Sequence, residues 1–442
     1  MSKSSNLSVL ASLSLIAGGA AGLLAAVFRL ALQRADRFRD SALSWAHSYG
    51  IVGFLVIIGV SAITTALAAW LVRCLSPHAT GSGIPHVEAQ LNGKWSGDPL
   101  LIIPVKFMGG LLAMGTGLAL GREGPSVQMG ASLAHLLGRV AHRNEDECKA
   151  LLAAGAGAGL ATAFNAPIAG AVFVLEELVR HFELPTTIAT LGASASAIGA
   201  ARFLLGQAPD FQVAPIPYPG LATLPIHFTL GIAAGLVGVA YNRAILGALR
   251  ATDHLGWPSD FCAAAIGAVV GLLAWFAPGL VGSGDAITQR MLGREAVFMV
   301  GLVFVFIFLL RFALGAVSYA ARTPGGLFAP MLVLGSQVGL LFGTVCNRWF
   351  PGAATNPTEY SVVGMAALFT AVVRAPVTGI ILAIELTGTF TLLLPMLGAC
   401  FAAMLVTTLL HNPPIYDSLR WDSESIGGDS AKQALPRLAG QI

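Results

Sequence analysis

Glu123 is the residue whose position most demands chemistry. It lies in Gly121-Arg122-Glu123-Gly124-Pro125, a Gly-flanked break between two long apolar stretches. A carboxylate held inside a membrane costs about 2.5–3.5 kcal/mol on insertion scales, so one retained there generally has a task. At a helix N-terminus its carboxylate would itself occupy an anion site, because unpaired N–H groups and the positive dipole end attract negative charge. Protonation would release it and admit a free anion, coupling proton binding to anion binding by competition. The plainer reading is a static ion pair with Arg122, although adjacent helical residues do not face each other.

Other polar groups stand out on the same grounds. Glu176 and Glu177 close the apolar run 168–175, and adjacent helical carboxylates diverge by about 100°, so at most one need face the interior. Ser82, in Gly81-Ser82-Gly83-Ile84-Pro85, either donates its hydroxyl to an anion or caps a helix start. Tyr416 ends the last apolar stretch, as an interfacial anchor or as a hydroxyl donor. Lys106 either snorkels to the interface or is a buried charge. No metal-ligand spacing, Walker loop or Gly-x-Ser-x-Gly element is present. Gly282-Ser283-Gly284-Asp285 resembles one element of intramembrane aspartyl proteases, but the Tyr-Asp those enzymes need earlier occurs only later, at Tyr416-Asp417. A polar loop after Pro278 is the expectation there.

The elements that position these residues follow from composition. Of 442 residues, 55% are apolar and 11% charged, against roughly 25% charged in soluble domains. Mean hydropathy is +0.76. Lipid is the natural solvent for such a surface, and disorder is excluded. A net charge of +3 without a basic cluster gives no support to nucleic-acid binding. Five scattered cysteines carry no C-x-x-C pair.

Apolar stretches near 7–32, 51–72, 99–120, 150–175, 185–206, 226–249, 261–281, 296–321, 327–346 and 361–410 leave between ten and eighteen helices open. The 52 glycines suit close helix contacts and interrupted helices. A count of Arg34, Arg37 and Arg39 after the first stretch would put the N-terminus outside.

Two Gly/Pro-punctuated regions repeat. Gly121, Pro125, Gly130 and Gly138 match Gly326, Pro330, Gly335 and Gly343 with an offset of 205. Ala166-Pro167 through Glu176 matches Ala375-Pro376 through Glu385 with an offset of 209. Glu176 and Glu385 therefore share a structural role, which leaves Glu177 as the distinctive acid. Repeat one spans about 7–206, repeat two about 224–416, and 417–442 is a short polar tail. Transporters of this build often place their site where interrupted helices of both halves meet.

Jointly these motifs resemble the CLC family of chloride channels and chloride/proton antiporters, in its prokaryotic form without regulatory domains. The resemblance rests on residues 81–85, 121–125, 326–330 and Tyr416, with Val105-Lys106-Phe107 and Phe164-Asn165-Ala166-Pro167 in family order. It implies an all-α polytopic membrane protein with an inverted two-repeat fold of about 17 helices, many tilted or not fully spanning. It implies a homodimer with one anion pathway per subunit. By position, hydroxyls of Ser82 and Tyr416 and the N–H groups of Leu327 and Phe328 would hold a central chloride. Gly83, Ile84, Arg122, Gly124 and Ala329 belong to the same anion-binding motifs.

Glu123 would be the gating glutamate and Glu177 the inner proton-transfer acid. The implied activity is chloride/proton exchange at 2:1, with chloride as substrate and no cofactor; the alternatives are a passive chloride channel and, remotely, the protease. Ser82 favours chloride, since nitrate-preferring relatives resemble this motif with Pro there. Family topology puts both termini in the cytoplasm, in the inner membrane of a bacterial cell, and outweighs the arginine count. Three departures are the short stretch before the first span, His86 where many relatives have an acid, and Arg322-Thr323 where small residues are usual.

Overall fold

The computed structural model describes residues 2–94, 98–293, 301–349 and 356–420, the first five by backbone alone. Eight helices form the first half: α1 (Ser2–His47), α2 (Gly50–Leu75), α3 (Ile84–Leu91), α4 (Pro99–Gly115), α5 (Glu123–Val140), α6 (Glu145–Phe164), α7 (Pro167–Phe173) and α8 (Leu184–Leu205). Eight more follow: α9 (Leu224–His254), α10 (Ser259–Phe276), α11 (Asp285–Leu292), α12 (Leu302–Ala320), α13 (Phe328–Trp349), α14 (Pro357–Val373), α15 (Pro376–Thr387) and α16 (Leu393–Leu409). A last helical segment covers 415–420, and the described residues contain no β-strand.

Eight helices (α1, α2, α8, α9, α10, α12, α13 and α16) are long and apolar enough to cross a membrane, and α4, α14 and α15 are apolar but shorter. The protein is an all-α, multi-pass integral membrane protein. The first apolar stretch continues through Arg34, Arg37 and Arg39 to His47 as one helix. Within its most apolar window α13 is 78% buried and α2 only 22%. So α13 forms the interior and α2 faces lipid.

Helices broken inside a membrane expose N–H and C=O groups that lipid cannot satisfy. This chain satisfies them from the opposite repeat. Glu176 accepts hydrogen bonds from the N–H groups of Val377 (3.0 Å) and Thr378 (2.7 Å) at the start of α15. Glu385 accepts from Ile168 (3.1 Å) and Ala169 (2.7 Å) at the start of α7. Each carboxylate thus supplies acceptors to two of the N–H donors that a first turn leaves orphaned.

The loops before α3 and α11 are satisfied in matching fashion within each repeat. Lys106 of α4 is fully buried and donates to the carbonyl of Gly81 at 2.6 Å. It is a buried charge, not a snorkelling one. On α12, Arg311 donates to the carbonyls of Gly282 (2.8 Å) and Ser283 (2.9 Å). Residues 282–285 are therefore no plain loop. Gly284, at φ +93°, starts α11 as Gly83, at φ +78°, starts α3. These two form a further repeat pair, offset by 201, which the sequence reading passed over.

At the centre, Gly121 donates to the carbonyl of Gly326 (2.9 Å) and Gly326 returns the bond (2.7 Å). Repeat-equivalent residues paired antiparallel have a two-fold axis between them, which is the mark of inverted halves. Equivalent helices also pack on each other, α2 on α10 and α7 on α15.

Removing one reciprocal cap should loosen the fold. Glu385→Ala removes the acceptor of two N–H groups at the start of α7, a loss of about 1–3 kcal/mol per group left unsatisfied. Thermal denaturation in detergent should show a lower midpoint for Glu385→Ala than for the unaltered protein.

Candidate functional site

Three motifs converge on Gly124. A Cβ there would stand 2.6 Å from the Ser82 carbonyl oxygen and 3.0 Å from Gly326 Cα, so only glycine allows this approach. The starts of α3, α5 and α13 are thereby held together. Glu123 is fully buried, and its Oε1 accepts a hydrogen bond from Phe328 N–H at 2.7 Å. Its Oε2 is buried with no hydrogen bond among the described residues. Gly121 and Gly326 flank the carboxylate, and a Cβ on either would collide with it.

Around this point the polar lining is sparse. Ser82 Oγ accepts from Ile84 N–H at 3.2 Å, so the hydroxyl caps α3 and that bond leaves its own hydrogen free. Tyr416 is fully buried, which rules out an interfacial belt, and its hydroxyl has no partner among the described residues. Ile84 and Leu327 are also fully buried. The Phe328 ring lies 6.1 Å from that of Tyr416 and 4.7 Å from that of Phe369. A buried hydroxyl without a partner among the described residues, in an aromatic and aliphatic wall beside the N–H that Glu123 occupies, suits a small anion.

Arg122 does not pair with Glu123. Its guanidinium donates to Asp285 (2.8 Å), Asp210 (2.8 Å) and the carbonyl of Ala163 (2.8 Å). Arg29 also binds Asp210, at 2.7 Å. This network and Ala329 border a cavity of about 390 Å³ that reaches Asp36 and Arg39 on α1. The Arg122 side chain is thus committed to aspartates, and only its backbone is left for an anion. Bridged by an arginine, Asp210 and Asp285 cannot share the single proton that an aspartyl protease dyad requires.

Glu177 occupies the other end of the molecule. A π-helical turn, Val174–Leu178, continues α7 and carries both adjacent acids. Such turns often mark functional sites. Glu176 turns to α15, while Glu177 stays 4% exposed beside Arg180 (3.5 Å). Leu178 lines a second cavity with Leu10 of α1. From Leu10 to Asp36, at the first cavity, α1 covers roughly 40 Å of axis. Glu123 and Glu177 therefore adjoin cavities at opposite ends of α1.

A family model described as voltage-gated chloride channel matches residues 64–408. The chain belongs to the CLC family. Among CLC relatives, the H⁺/Cl⁻ exchange transporter ClcA of Cronobacter sakazakii is 35% identical over 415 residues, covering 92% of this chain and 88% of the relative. That of Vibrio cholerae is 36% identical over 419 residues, with the same coverage. The crystal structure of a slow cyanobacterial Cl⁻/H⁺ antiporter has a TM-score of 0.89 at 30% identity and covers 94% of this chain and 97% of its own. A eukaryotic CLC transporter, at 23% identity and a TM-score of 0.78, shares the fold.

Sequence reasoning missed Asp210 and Arg29, and noted Asp285 only in a polar loop and not as a partner of Arg122, because no spacing rule joins positions so far apart. The departures it noted are tied up locally: Arg322 pairs with Asp253 at 2.5 Å, and the His86 ring stacks on His78 at 4.9 Å. Removing Arg122 leaves Asp285 without its cation and Asp210 with Arg29 alone. Arg122→Gln should destabilise by about 1–3 kcal/mol, read as a lower denaturation midpoint in detergent than for the unaltered protein.

Proposed function

We propose that this protein is a chloride/proton antiporter, and the observation that carries this reading is Glu123 seated on Phe328 N–H. A carboxylate that occupies a main-chain donor competes with any anion for that donor. Chloride entry from the Arg122 side requires Glu123 to leave, and protonation removes the charge that holds it. Binding of one ion is thereby tied to binding of the other.

The rest of the site fits this scheme. Ser82 and Tyr416 supply hydroxyls, and Leu327 and Phe328 supply N–H groups, to a central chloride. Gly83, Ile84 and Gly124 bring the main chain close to it. Glu177, buried at the opposite end, passes protons between the inner solution and Glu123. Two chlorides exchange for one proton, driven by the two gradients with no cofactor. The exposed apolar faces of α8 and α16, with Phe203 and Phe401, support a homodimer with one pathway per subunit. Both termini lie in the cytoplasm, and in a bacterial cell the membrane is the inner one. The relatives named as H⁺/Cl⁻ exchange transporters support the same assignment.

In proteoliposomes, a chloride gradient should drive uphill proton movement, and Glu123→Gln or Glu177→Gln should abolish it while chloride flux persists. Chloride flux without proton movement in the unaltered protein would instead mark a passive channel. Ser82→Pro should raise nitrate flux relative to chloride, measured with both anions at equal concentration; an unchanged ratio would remove Ser82 from selectivity.

A further inference from the structure

A single exposed guanidinium joins the inner acid to the segment that carries Tyr416. Arg180 follows the π-helical turn with φ +59°, in the left-handed region. Its side chain is 42% exposed, whereas the carboxylates it meets lie behind it. It reaches Asp417 at 2.8 Å, Glu177 at 3.5 Å and Glu88 at 3.5 Å. It also donates to the carbonyl of Glu177 at 3.1 Å. Asp417 directly follows Tyr416 in the helical segment 415–420. Arg420 of that segment closes the cluster on Glu88 at 2.5 Å and on Asp417 at 3.5 Å. Glu176, the remaining nearby acid, is engaged at α15.

We propose that Arg180 is a coupling residue that transmits the charge of Glu177 to the position of Tyr416 through Asp417. With Glu177 ionised, the guanidinium is shared among three carboxylates. When Glu177 takes up a proton its pull on the guanidinium falls, and Arg180 moves towards Asp417 and Glu88. A shift of Asp417 is a shift of the adjoining residue, Tyr416, whose buried hydroxyl has no partner among the described residues. Two sites are coupled when both bias one element with two arrangements. Here that element is the Arg180 fork together with segment 415–420. This inference rests on the antiporter reading, within which Glu177 carries protons.

The test is the chloride-to-proton ratio, taken from simultaneous flux measurements in proteoliposomes. Arg180→Gln should raise the ratio about fivefold or more, the size of an ordinary coupling, with Glu123 and Glu177 intact. Asp417→Asn should raise it too, and the double variant should exceed the larger single effect by little, because both act on one link. Arg180→Lys keeps the charge without the fork and should fall between. A purely structural role would lower both fluxes together and leave the ratio alone, which would overturn the proposal. A raised ratio in Arg180→Gln but not in Asp417→Asn would also overturn it, by confining Arg180 to Glu177. If Arg180→Gln does not reconstitute, Asp417→Asn and Arg180→Lys decide by the same ratio. Absence of proton movement in the unaltered protein would instead defeat the antiporter reading.

Discussion

A helix that stops inside a membrane leaves main-chain groups with nowhere to bond, and this fold is organised around that constraint. Two of its broken ends are satisfied across the two-fold axis, by Glu176 at α15 and Glu385 at α7, and two within their own half, by Lys106 at the loop before α3 and Arg311 at the loop before α11. Each group is costly to bury alone and is stabilised by main-chain dipoles that would otherwise be unpaired. Neither half can satisfy the starts of α7 and α15 by itself. The repeats are therefore bound by hydrogen-bond necessity as well as by packing.

The two carboxylates proposed to carry protons, Glu123 and Glu177, stand where this symmetry fails. The repeat partner of Glu123 is Phe328 (offset 205), and that of Glu177 is Leu386 (offset 209). In the first case the unmatched carboxylate reaches over the axis to its own counterpart's N–H. In the second, the π-helical turn separates two neighbouring acids, sending one to a structural cap and leaving the other beside Arg180. Symmetric positions hold the fold, and asymmetric ones are free for ion chemistry.

Much of this was legible in the sequence, for physical reasons. Glu123 stood out because carboxylates are rare in apolar sequence, and Glu176 paired with Glu385 because the Gly/Pro punctuation fixes register. Phe328 and Leu327 could be placed only through the resemblance to the family, since main-chain donors leave no mark in residue type. The pairing of Arg122 with two aspartates was not readable: Asp210 lies in a loop, and Asp285, though noted in its motif, has Ile84 as its repeat partner. Arg180, too, reads as an ordinary surface arginine until the chain folds Asp417 and Glu88 against it.

The drift of the repeat offset, from 201 at Gly83/Gly284 through 205 at Gly121/Gly326 to 209 at Glu176/Glu385, carries an evolutionary consequence. Four residues were gained or lost twice between the halves, and both changes fall between the paired positions. A length change within a paired element would have rotated a carboxylate off the opposite half's main chain, or a guanidinium off its own. After duplication, the ancestral chain was thus free to vary where it surfaced and tethered at its broken ends. The spacing keeps a record of which segments could lengthen while the ion path stayed aligned.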